Sequence, residues 1–206
     1  MRMKNYFQAS LDVEGRRCLV VGGGGEAEEK TGRLLDAGAR VTVVSPEATP
    51  PLAAWAAERA ITLHRRRFEP ADLEGVYLAV NTVKSDPALS RQIYEPCEAQ
   101  RILISAYDQP EVSNFVMVAL VRCGRLRVAI ATGGTSPALA SRLRAELEQV
   151  FDAEFAAFVE YLAERRRHLE ATMPKGPARS AALRRLVRGL RVSARIEYPS
   201  EYLAQR

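Results

Sequence analysis

Three stretches of the 206-residue chain carry residue types and spacings suited to chemistry. The first is Gly22-Gly23-Gly24-Gly25-Glu26-Ala27, which fits G-x-G-x-x-A directly behind the apolar run RCLVV at 17–21. Glycines there let the backbone turn tightly and approach a pyrophosphate. A following helix offers free N–H groups and the positive end of its dipole. The pattern by itself is weak, but behind the first strand of a βαβ unit it is a strong dinucleotide signal. The second is Asp108, in the sequence SAYDQP at 105–110. A carboxylate just past a strand can act as a general base or orient a substrate. An Asp before Gln-Pro is equally an ordinary turn former, and both readings stand. The third is Thr132, Gly133, Gly134, Thr135 and Ser136, followed by Pro137. Such a loop ahead of a helix either holds an anion such as a carboxylate or is a plain capping turn.

The end of the second strand bears on cofactor choice, because an acid there would grip the ribose hydroxyls. That place holds Ser45 and Pro46, with Glu47 close behind, and no arginine that would favour a 2′-phosphate. The expected cofactor is NAD rather than NADP. The two histidines, His64 and His168, lie far apart, and Cys18, Cys97 and Cys123 form no CxxC pair. Neither a protein-made metal site nor a disulfide framework is therefore expected. GxSxG and a P-loop lysine do not occur. Cys18, inside an apolar strand, reads as a small core residue.

The elements that must position these residues follow from periodicity. Short β-branched runs at 17–21, 41–44, 61–63, 76–80 and 102–106 read as buried strands. Between them lie a helix running from the glycines to Gly38, a second at 52–59, and a third opened by Asp86 as N-cap and Pro87 in its first turn. Strands alternating with helices in this way mean βαβ units and a Rossmann-type doubly wound parallel sheet. Near Ser113 the pattern changes. Apolar runs at 115–121 and 126–131, separated by Arg122-Cys123-Gly124-Arg125, predict an antiparallel hairpin. A helix capped by Ser136 follows. Beyond Val150 the chain reads as helical, broken at 173–177, with a stripe of Leu183, Leu186, Val187 and Leu190 at helical spacing. The expected division is a Rossmann domain at 1–113, a small α+β dimerisation segment at 114–150 and a basic helical region at 151–206.

Composition is that of a globular chain, 47% hydrophobic, and no apolar run approaches the ~20 residues that span a bilayer. Residues 1–11 include Arg2 and Lys4 but no apolar core of a secretory signal. A cytoplasmic enzyme that meets no membrane is the default expectation. The net charge of +5 is unevenly placed: Arg165, Arg166, Arg167, Arg179, Arg184, Arg185, Arg188, Arg191 and Arg195 crowd the last quarter. They are either a solvated helix face or the seat of a polyanion. Nucleic acid is the weaker choice, since no RRM, KH or helix-turn-helix signature accompanies them.

Residues 11–24 (LDVEGRRCLVVGGG), 37–44 (AGARVTVV) and 131–140 (ATGGTSPALA), in this order, resemble the precorrin-2 dehydrogenase / sirohydrochlorin ferrochelatase family. That family also forms the N-terminal module of siroheme synthase. The last segment is the most specific, because a generic dinucleotide-binding domain has no reason to carry it. The resemblance implies oxidation of precorrin-2 to sirohydrochlorin with NAD reduced, and in some members insertion of ferrous iron. It makes Asp108 the key aspartate and Thr132 the hydroxyl residue ahead of Gly-Gly. It also turns the loop of Asn81, Thr82 and Val83, continued by Lys84 and Ser85, toward the cofactor. The arginines then match the carboxylates of a tetrapyrrole. A homodimer and a separate methyltransferase supplying precorrin-2 are the implied partners. Two alternatives differ in class: a nucleotide-sensing module without catalysis, and a chelatase or tetrapyrrole carrier without the dehydrogenase step.

Overall fold

A computed structural model describes residues 6–204; the N-terminal positions Arg2 and Lys4 lie outside the described residues. The chain divides into two compact units after Val118.

The first unit contains β1 (Arg17–Val21), α1 (Gly25–Asp36), β2 (Arg40–Val44), α2 (Pro50–Ala57), β3 (Ile61–His64), β4 (Leu78–Asn81), α3 (Pro87–Gln100) and β5 (Leu103–Ala106). All five strands are parallel, in the order β3-β2-β1-β4-β5. This is the expected doubly wound sheet. Its near-continuous apolar strands have a direct cause, which is that both faces are buried. Cys18 and Val20 pack with Val41, Val43, Leu78 and Val80 beneath Ala27, Leu34 and Leu52. Their neighbours Leu19 and Val21 point the other way, packing with Ala79, Ile104, Ile93 and Cys97. Burial pushes the Cys18 thiol up to about 11 and that of Cys97 up to about 12, so both behave as small apolar residues.

The strand order reverses between β1 and β4, which opens a crevice at their carboxyl ends. Register sets its edge level. Val21 pairs with Asn81 and Asn81 with Ala106, so Gly22, Thr82 and Tyr107 emerge side by side. The fourth strand begins at Leu78 rather than Val76, because Val76 N–H is already bonded to Leu73 O in the preceding turn.

The second unit holds β6 (Ala119–Cys123), β7 (Leu126–Ile130), α4 (Pro137–Val150), α5 (Ala153–Thr172), α6 (Pro177–Leu186) and α7 (Ser200–Leu203). The expected antiparallel hairpin is present, with Val121 opposite Val128. It starts four residues later than the apolar run suggests. Asn114 and Phe115 N–H groups bond to Ile104 O, and Phe115 and Met117 pack against the first unit's core. One apolar run therefore serves two units. Gly124, at φ 52°, closes the hairpin against Ala156 of α5. The stripe at 183–190 is helical only to Leu186. Val187 and Leu190 are exposed, and a short helix without a buried face does not propagate.

Candidate functional site

The carboxyl edge of the first unit's sheet collects most of the residues singled out by sequence. Gly22, at φ 114°, donates its N–H to Val44 O, and a Cβ there would run into Thr82 Oγ1. A Cβ on Gly23 would strike the Glu47 carbonyl oxygen and lie 2.8 Å from Ser45 Oγ. These two glycines are thus demanded by the protein's own packing. Gly24 and Gly25 are not: a Cβ on either meets nothing within 4 Å. Gly24 is the N-cap of α1 with no side chain capping the helix. The first-turn amides of α1 consequently face an open cradle, the geometry of an anion seat. Ala27 is fully buried and lets α1 lie close to β1.

Ser45 is buried, its N–H bonded to His64 O, whereas Pro46 and Glu47 are exposed beside the glycine turn. Thr49 N–H donates to Gly23 O at 3.0 Å, but its hydroxyl is buried without a hydrogen bond. A buried orphan hydroxyl calls for a partner, and beside a glycine cradle that partner fits a dinucleotide. Sequence reasoning missed Thr49; its one signal was the N-cap position ahead of Pro50-Pro51.

Across the crevice, Asn81 is fully buried. Its Oδ1 accepts from Val83 N–H and its Nδ2 donates to Ser90 Oγ. Thr82 Oγ1 donates to Val21 O at 3.0 Å, which ties this loop to β1. Asp108 sits two residues past β5 in the left-handed region, φ 56°. Few non-glycine residues adopt that conformation, Asp among the more tolerant. Its carboxylate forms an ion pair with Lys84, the residue after Val83. The bond to Asp108 raises the Lys84 pKa. Tyr107 bonds to Glu26 in the first turn of α1, and this contact, first among several causes, raises the Tyr107 pKa. The resemblance placed Lys84 in the loop facing the cofactor but not as a partner of Asp108, and Tyr107 had no signal beyond its place just after a strand.

The loop 132–136 belongs to the second unit. Thr132 Oγ1 donates to Ser136 O at 3.1 Å, and Ser136 Oγ accepts from Leu139 N–H, capping α4. Both hydroxyls hold the loop itself. Gly133 and Gly134, at φ 62° and 81°, are exposed with open space around them, and Thr135 is exposed.

Residues 9–119, more than half of the chain, match the family described as "Putative NAD(P)-binding", and residues 124–149 match "Sirohaem biosynthesis protein central". Siroheme synthase 2 of Klebsiella pneumoniae is 36% identical over 181 residues, 88% of this chain and 38% of that protein. The siroheme synthase of Thioalkalivibrio sulfidiphilus is 35% identical over 185 residues, 90% of this chain and 38% of its own length. The chain thus spans little more than a third of these relatives. A solved structure of SirC, a precorrin-2 dehydrogenase, superposes with a TM-score of 0.74 at 26% identity, covering 88% of this chain and 89% of that one.

Proposed function

The chain belongs to the NAD(P)-binding family matched across residues 9–119, and from that premise we propose that it oxidises precorrin-2 to sirohydrochlorin in siroheme biosynthesis, with NAD as cofactor. The observation that carries this reading is the open cradle at Gly24 and Gly25 on the same sheet edge as Asp108. The amides at the start of α1 seat the pyrophosphate. Ser45, Pro46 and Glu47 border the adenosine ribose, and Asn81, Thr82 and Val83 wall the crevice on the β4 side. NAD, when bound, takes up the hydride that leaves a C–H bond of the macrocycle. The substrate must also lose a proton, and the Asp108 carboxylate accepts it. A nucleotide sensor would use the cradle but has no task for Asp108. The test is whether reduced nicotinamide forms when the chain meets precorrin-2 and NAD.

Substrate carboxylates are assigned to the second unit, where the Gly133-Gly134 backbone and the arginines of α5 and α6 offer cationic and N–H partners. A methyltransferase is the proposed source of precorrin-2. No described helix is long and apolar enough to cross a membrane.

The segment at 114–150 is proposed to build a homodimer, with the basic helices at 151–206 beyond it. Support comes from the two-stranded sheet β6-β7, whose outer edges have no strand neighbour among the described residues, since open strand edges invite pairing. A closed two-fold pair is the commonest solution. Light scattering at micromolar concentration should give twice the chain mass; a folded monomer would refute the dimer.

A further inference from the structure

The Lys84–Asp108 ion pair raises a question the proposed reaction does not answer. Its side chains are 60% and 58% exposed, and pairs this exposed contribute little to stability. Yet both partners hang from a buried, fully bonded scaffold. Lys84 follows the loop pinned by Asn81 and Thr82. Asp108 is followed by Gln109, whose Nε2 donates to Val83 O at 3.3 Å and so ties the β5 loop to the β4 loop. Ser113 Oγ completes the hold, accepting from Ala106 N–H at 2.9 Å and donating to Gln109 O at 2.8 Å. Asn81, Ser90, Gln109 and Ser113 are all buried. Satisfied buried polar networks of this kind rigidify the geometry of what they hold. What they fix here is the meeting of one ammonium with one carboxylate, the latter on a left-handed backbone.

We propose that Lys84 is a positioning residue: its ammonium holds the Asp108 carboxylate in one orientation over the carboxyl edge of the sheet. The inference rests on Asp108 being the proton acceptor of the proposed oxidation. In that reaction the electron pair of a macrocycle C–H bond leaves as hydride to the nicotinamide. The accompanying proton goes to an Asp108 oxygen, and Lys84 keeps its own proton throughout. The other titratable groups acting on the pair are Tyr107, through its charge-dependent contact with both, and Glu26 beyond it, bonded to Tyr107. Neither supplies a second cation, so the orientation of Asp108 depends on Lys84.

Two measurements test the proposal. In the first, NMR follows the titration of Lys84 in the free protein, assigned by its loss in Lys84→Met. The midpoint should lie above that of an ordinary lysine and fall back in Asp108→Ala; an unchanged midpoint would break the pair and the proposal with it. The second is a kinetic double-mutant cycle. Lys84→Met should lower kcat for precorrin-2 about tenfold, the scale of a misplaced catalytic group, with KM, NAD affinity and melting temperature little changed. Lys84→Arg should restore most of kcat, and Lys84→Met should have no further effect on top of Asp108→Ala. A rise in KM with kcat intact would make Lys84 a substrate anchor and overturn the proposal, as would additive losses. Wild-type protein that forms no reduced nicotinamide would instead defeat the proposed function, and the titration would still decide whether the pair exists.

Discussion

Asp108→Ala is expected to leave NAD binding nearly intact and to cut precorrin-2 oxidation by at least ~10²-fold, a typical general-base contribution. The separation follows from position. The cradle proposed for the pyrophosphate lies at Gly24, Gly25 and the uncapped first turn of α1, whereas Asp108 lies past β5, two strands away in the sheet order. Nothing in the cradle depends on its side chain, which is 58% exposed and bonds to Lys84. Alanine tolerates the left-handed backbone at φ 56° less well than aspartate, a local cost at an exposed side chain outside the core, so the fold should persist. If iron is inserted at the same place, the carboxylate would accept pyrrole protons as metal enters, and both activities should fall together. Oxidation lost with chelation retained would split the two sites. Near-wild-type oxidation by folded Asp108→Ala protein would leave the residue a turn former.

Gly24→Asp should abolish NAD binding while the protein stays folded. The two halves of this expectation have different causes. Gly24 has φ −86° and open space where a Cβ would go, so a side chain costs the free protein nothing. Aspartate is moreover a better N-cap than glycine by a few tenths of a kcal/mol, and α1 lacks a capping side chain. In the variant the carboxylate would bond the amides that the pyrophosphate needs and set a like charge in its path. Alanine at Gly22 or Gly23 makes the contrasting control, because a Cβ there collides with Thr82 or the Glu47 carbonyl and should lower stability first. Calorimetry with NAD decides the matter; unchanged affinity in Gly24→Asp would remove the dinucleotide from this cradle.

The sheet was legible because its strands, buried on both faces, are short apolar runs with polar punctuation: Arg17–Val21 matches its run residue for residue. Caps were equally legible. Asp86 accepts from Leu89 N–H and Ser136 from Leu139 N–H, since an N-cap and a first-turn proline are local devices. The apolar run at 115–121 misled because apolar character does not say which core a residue joins, and Phe115 and Met117 join the first unit's. The stripe ending at Leu190 misled for the opposite reason, its spacing being right and its burial missing. The site divides along the same line. The glycine turn and Asp108 stand out by local pattern. The partners Lys84, Tyr107 and Thr49 depend on parallel register and on loop hydrogen bonds that no spacing in the sequence encodes.

The most direct measurement is a single incubation of the purified chain with precorrin-2 and NAD, followed by absorbance. Reduced nicotinamide should appear together with sirohydrochlorin and in equal amount, without any other oxidant, and Asp108→Ala should slow both alike. Tight NAD binding with no reduction of the nicotinamide, in a preparation whose precorrin-2 is oxidised by a known dehydrogenase, would contradict the account and leave the chain a nucleotide-binding module.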